Sequence, residues 1–106
     1  MGQGLFDQYS ILHLASGILA YFWGINFVDW FLIHMIFEIV ENSLYGITFI
    51  NKYIKDFWPG GKPRADAIIN SISDQFFASI GWLISYYIDY YSTLYGLNQG
   101  HFTKIL

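Results

Sequence analysis

The sequence predicts an all-α membrane protein: three transmembrane helices, with a short interfacial helix and a Pro/Gly loop between the second and third. Three observations predict it. Hydrophobic residues make up 55% of the 106 residues and charged residues only 12%, about half the charged share of an average soluble domain. Long apolar segments meet the roughly 20 residues that cross a bilayer core. One clear loop interrupts them, Trp58-Pro59-Gly60-Gly61-Lys62-Pro63, where proline removes a donor and paired glycines loosen the backbone.

The elements follow in order along a single domain, 1–106. The first span covers about 8–25 and carries no charged residue; His13 is its one group that titrates near neutral pH. A signal peptide fits poorly, because the first charge is Asp7 and the cleavage region reads Tyr21-Phe22-Trp23-Gly24. Gly24-Ile25-Asn26 supplies a turn. The second span covers about 27–50 and contains Asp29, Glu38 and Glu41. The loop is 51–63, and the stretch from Phe49 to Trp58 suits a short helix at the interface with its lysines snorkelling to water. The third span covers about 64–92, around a charge-free core from Gln75 to Ile88. No internal repeat is present.

Composition excludes several classes. There is no cysteine, so no disulfide framework or thiolate site. Five Lys+Arg against eight Asp+Glu argue against nucleic acid as a partner. Lys52, Lys55, Lys62 and Arg64 collect in or beside the loop. The positive-inside rule then puts the basic loop and the N-terminus on the cytoplasmic side and the C-terminus on the opposite side. Tyr21, Phe22, Trp23, Phe27 and Trp30, with the tyrosines from Tyr86 to Tyr95, are expected as an interfacial aromatic belt on that far side.

Polar residues inside the spans carry the most information. A charge at the bilayer centre costs about 3 kcal/mol or more, so such groups turn toward the bundle interior and find partners. Tyr9, His13, Ser16, Gly17, Ala20 and Gly24 form one stripe; His34, Glu38 and Glu41 recur at i, i+4, i+7 with Asn42 beside them. Asp66, Asn70, Ser73 and Asp74 share a face that Ala78, Gly81 and Ser85 continue. The economical packing joins His13 to Glu38 or Glu41, and Asn42 to Asn70 and Asp74, in the cytoplasmic half of the bundle. Two carboxylates one turn apart would repel, so one of Glu38 and Glu41 is expected to be protonated or paired. The site candidates are therefore His13, Glu38, Glu41 and Asp74 for chemistry, Asn42 and Asn70 for the polar cluster, and Lys62 and Arg64 for lipid headgroups. Each has a plain structural reading as well, a satisfied polar knot that sets helix register. His13, His34, Glu38, Glu41 and Asp74 are hard or borderline ligands, and His34 and Glu38 at i, i+4 could ligate a metal together. The spacing does not repeat the paired Glu-x-x-His of di-iron bundles, so no metal ligand set and no cofactor are assigned. There is no Gly-x-Ser-x-Gly elbow and no phosphate loop.

The pattern Asp7…Tyr9-Ser10…His13…Gly17, His34…Glu38…Glu41-Asn42-Ser43, Asp66…Asn70-Ser71…Ser73-Asp74…Gly81 resembles a family of small uncharacterised bacterial integral membrane proteins. It resembles the VanZ-like group more distantly. The likeness covers about 6–82; Ala67 stands where that family usually carries serine. It implies the fold and the polar cluster, and the VanZ-like link implies cell-envelope or lipid-linked chemistry.

Isoleucine occurs 16 times and valine twice, codon usage expected of an AT-rich genome such as a large DNA virus, an organelle or a low-GC bacterium. The leading expectation is a structural or assembly subunit of a larger membrane-associated complex, with enzyme activity left open. Its expected partners are membrane lipids and other subunits, a second copy of the chain among them. The alternative is a small intramembrane enzyme or lipid-binding protein acting on a lipid or lipid-linked phosphate. In it His13 is base or nucleophile, Glu38 or Glu41 the acid/base partner, and Lys62 and Arg64 headgroup anchors.

Overall fold

A computed structural model describes residues 4–7, 9–57, 62 and 64–96, without the side chain of Lys55. The expected loop core at 58–61 and 63, Gln8, and the tail 97–106 with Lys104 lie outside the described residues. Regular structure among the described residues is entirely helical: α1 (Tyr9–Phe22), α2 (Phe27–Glu41), α3 (Leu44–Tyr53), a 3-10 turn (Lys55–Phe57) and α4 (Ile68–Leu94).

Local chemistry sets each boundary. Asp7 opens α1: its Oδ1 accepts from Tyr9 N at 2.9 Å, and Ser10 Oγ accepts in return from Asp7 N at 3.2 Å. This is the reciprocal bonding of a capped N-terminus. Gly24 takes φ +80°, open to glycine without a Cβ penalty. Asn26 then caps α2, its side chain accepting from Asp29 N at 2.8 Å. Ala67 stands at the N-cap of α4 with extended backbone and no side-chain cap bond.

The second expected span, 27–50, is two helices. Asn42-Ser43 is a break rather than a helical run. Asn42 Nδ2 donates to Glu38 O at 2.9 Å and closes α2. Ser43 Oγ accepts from Gly46 N at 3.0 Å and opens α3. Asparagine and serine compete with the backbone for hydrogen bonds, which suits them to helix ends. Gly46 permits the bend: a Cβ there would lie 1.9 Å from Val40 O. The interfacial helix expected over 49–58 begins instead at Leu44 and ends at Tyr53.

The three long transmembrane helices are not present in the expected form: among the described residues no helix is long and apolar enough to cross a membrane. The 14 residues of α1 rise only about 21 Å, α2 carries Asp29, Glu38 and Glu41 in 15 residues, and the 27-residue α4 includes Asp74 and Asp89.

α4 is the spine of a body 48 Å long. α1 runs parallel to it: Asn70 Nδ2 donates to Gly4 O at 2.8 Å near their starts, and Tyr21 donates to Asp89 toward their ends. Between these, Gly17 and Gly81 let the backbones touch; a Cβ on Gly17 would sit 2.0 Å from Ala78 O, and one on Gly81 2.0 Å from Leu14 O. Small residues at this spacing allow close helix approach. α2 returns antiparallel, fixed by Trp30 Nε1 donating to Ala78 O at 3.0 Å. An apolar core of Ala20, Tyr21 and Trp82 occupies the α1–α2 turn end, where Trp82 Nε1 donates to Ile25 O at 2.8 Å. Tyr21, expected in an aromatic belt, is 1% exposed and belongs to that core.

Candidate functional site

At the opposite end the start of α1, the end of α2 and the start of α4 converge on a polar cluster. Its spacing on α2 follows from helix geometry: positions i, i+4 and i+7 lie on one face, and His34, Glu38 and Glu41 are the buried residues of that helix. On α4 the buried side includes Asn70, Ser73 and Asp74.

His13 is the hub. Its Nδ1 lies 2.8 Å from His34 Nε2 and 3.7 Å from Glu38 Oε1. Its Nε2 lies 3.2 Å from Asp74 Oδ2. His34 is held from behind: Gln75 Nε2 donates to Phe31 O at 2.9 Å, which turns Gln75 Oε1 toward His34 Nδ1 at 2.8 Å. Glu38 Oε1, Glu41 Oε1 and Asp74 Oδ1 are buried with no hydrogen-bond donor in reach among the described residues. A buried carboxylate oxygen without a donor costs several kcal/mol by desolvation, so this group of oxygens is an expensive arrangement.

A second knot adjoins it. Asn51 grips the backbone of Lys62, accepting from its N at 2.7 Å and donating to its O at 2.6 Å. Lys62 Nζ donates to Asp66 Oδ1 at 2.9 Å, and Asp66 N donates to Asn42 Oδ1 at 2.7 Å. Lys62, expected at lipid headgroups, is thus turned inward and 4% exposed; Arg64 is exposed. Asn42 reaches Asp66 and Glu38 rather than Asn70. Asn70 instead holds the segment before α1, through Gly4 O and, at 3.3 Å, Asp7 Oδ2.

A cavity of about 420 Å3 opens between these groups, lined by His13, His34, Glu41, Lys62, Asp66 and Asp74 on its polar side and by Leu12, Trp30, Ile33 and Phe37 on its apolar side. That is the size and mixed character of a small-molecule pocket. Two sets of side chains place ligand atoms within 4.8 Å of one another: His13, His34 and Glu38, and Glu38, Asp66 and Asp74.

Two participants of the site, Gln75 and Asn51, and Asp89 at the apolar end carry no clear mark in the sequence. Gln75 read only as the edge of an apolar stretch, although its neighbour Asp74 put it near the polar face. Asn51 acts through a contact 11 residues away, and Asp89 through one 68 residues away; periodicity carries no trace of either. Comparison with family models, with curated proteins and with solved structures returns no match for this chain.

Proposed function

We propose that the chain is a small multi-pass membrane protein, a structural or assembly subunit of a larger membrane-associated complex, whose intramembrane polar cluster fixes its helix packing. One observation carries this reading: the distribution of polarity is reversed. The side chains turned inward include His34, Glu38, Glu41, Lys62, Asp74 and Asp89, whereas Ile11, Ile39, Leu44, Ile68, Ile72 and Ile88 are each more than 60% exposed or at that value. Helical domains in water bury the second kind of residue and expose the first. An apolar exterior of this extent marks contact with lipid or with other apolar helices, and polar residues facing inward are how membrane bundles hold charge.

Extraction tests it. Membranes from cells expressing the full chain are washed with alkaline carbonate. Retention in the pellet, with release by detergent, is the expected result; release by carbonate alone contradicts membrane integration. Native mass spectrometry of the detergent extract then reads partners: a larger assembly or a self-oligomer is expected, and an isolated monomer contradicts the subunit role.

The cavity favours a second reading, a site for a lipid or lipid-linked phosphate. Lys62 and the rim of His13, Glu41 and Asp74 supply charge and acid/base groups, and the apolar lining suits an acyl chain. An activity on such a substrate that survived both His13→Ala and Glu41→Gln would eliminate it.

A further inference from the structure

The two histidines meet in a way that hydrogen bonding between neutral rings does not explain. Gln75 Oε1 can only accept, because its amide nitrogen is committed to Phe31 O, so His34 Nδ1 carries the proton of that 2.8 Å contact. Asp74 Oδ2 faces His13 Nε2 at 3.2 Å, and a carboxylate oxygen likewise takes the N–H. A neutral imidazole has one N–H. With both rings neutral, the remaining nitrogens, His13 Nδ1 and His34 Nε2, turn lone pairs toward each other across 2.8 Å. Glu38 Oε1 adds a third set of lone pairs at 3.7 Å from the first and 3.9 Å from the second. That oxygen has no donor among the described residues, and the Glu38 side chain is 7% exposed. Three lone-pair donors gathered this closely repel one another unless a proton or a metal ion sits among them.

We propose that His13 Nδ1, His34 Nε2 and Glu38 Oε1 form a binding site for a divalent transition-metal ion of the zinc class. Ligand atoms about 2.0–2.2 Å from such an ion lie about 3–3.5 Å apart, close to the 2.8, 3.7 and 3.9 Å separations here. Two imidazoles and one carboxylate suit zinc and its neighbours rather than calcium or magnesium, which prefer oxygen alone. The surroundings match as well. Metal-bound histidines characteristically donate their other N–H to a carboxylate or carbonyl, which fixes the ring and raises its basicity; Asp74 and Gln75 stand in those two places. The ion also offsets the excess of carboxylates, since the ammonium of Lys62 is already engaged by Asp66. That engagement argues against the all-oxygen set of Glu38, Asp66 and Asp74, where the lysine fills the cation's role. Both histidine rings line the cavity, so a bound ion faces a space that a small ligand can enter. This site stands whether or not the bundle is embedded in lipid.

The test uses the full chain purified in detergent, stripped with chelator and titrated with Co2+ and with Zn2+. The expected result is one ion per chain, visible-region Co2+ absorption of a low-coordinate nitrogen/oxygen site, and displacement of Co2+ by Zn2+. His34→Ala and Glu38→Gln each weaken Zn2+ binding by about 100-fold or more. Gln75→Leu, which touches no ion, weakens it by about 10-fold to 100-fold, whereas Tyr45→Ser on the exposed face of α3 leaves it unchanged. The wild-type Co2+ spectrum requires no variant, so misfolding of a mutant cannot mask the answer. Absence of Co2+ and Zn2+ binding at micromolar concentration by the wild-type chain overturns the proposal. So does binding that persists in the His34→Ala/Glu38→Gln double variant, or a preference for Mg2+ or Ca2+ over Zn2+.

Discussion

His13 on α1 and Asp74 on α4 meet at 3.2 Å, with side chains 13% and 3% exposed, and this contact ties the starts of two parallel helices together. Removing the donor of a buried hydrogen bond to a charged group typically costs about 1.5–3 kcal/mol, because the carboxylate left behind keeps its desolvation cost without a partner. His13→Ala is expected to destabilise by about that amount in denaturant unfolding. Asp74→Asn, which keeps a polar group of the same shape, costs less. The double variant falls short of the sum of the two, and additive losses would show that the pair does not act as a unit.

Gly17 and Gly81 allow the α1–α4 backbones to touch. A methyl group at Gly81 would sit 2.0 Å from Leu14 O, far inside contact distance, and the obstacle is backbone, which cannot rotate away. Gly81→Ala is expected to cost about 2–3 kcal/mol, in the upper range for overpacking, and Gly81→Leu to prevent α1 docking. Thermal melts by circular dichroism check both; a Gly81→Leu variant with an unchanged melting temperature would refute the close approach.

Ala67 occupies the N-cap of α4 in extended geometry with no side-chain bond to the helix. Serine at an N-cap is worth about 1 kcal/mol over alanine. Ala67→Ser should raise stability by that amount, and Ser43→Ala at the start of α3, which deletes the 3.0 Å bond from Gly46 N, should lower it by a similar amount. Equal midpoints for wild type and Ala67→Ser in denaturant unfolding would contradict this account of the α4 terminus.

Tyr21 donates its hydroxyl to Asp89 inside the aromatic core formed with Trp82. Hydrogen bonds to charged groups contribute about 1.5–3 kcal/mol, so Tyr21→Phe is expected to cost that much with the helical content retained. A loss below about 0.5 kcal/mol would place the bond outside the energetics of the fold.

Much of the polar cluster was legible because one helix face repeats at three and four residues: His34, Glu38 and Glu41 needed only that rule to fall on the buried side of α2. The turn at Gly24 to Asn26 was legible from residue chemistry alone, and the glycine does take positive φ there. The break at Asn42 and Ser43 was not, since a hydropathy window averages over two capping residues and sees one apolar run. Lys62 was misplaced for a different reason. A lysine in a loop reads as a surface charge until Asn51 pulls its backbone inward, and that grip is a tertiary fact. Tyr21 left the expected belt because Asp89, far along the chain, supplies an acceptor inside the fold.

In the proposed membrane arrangement the apolar outer surface faces lipid while the polar cluster faces inward. The chain has no cysteine, so single cysteines at Ile39 on α2 and Ile72 on α4, 67% and 60% exposed, can each carry a spin label in bilayer-reconstituted protein. The most direct measurement is the accessibility of those labels to oxygen, which concentrates in lipid, against a water-soluble nickel chelate. The account predicts high oxygen and low nickel accessibility at both positions. Free access by the nickel chelate at both would contradict it.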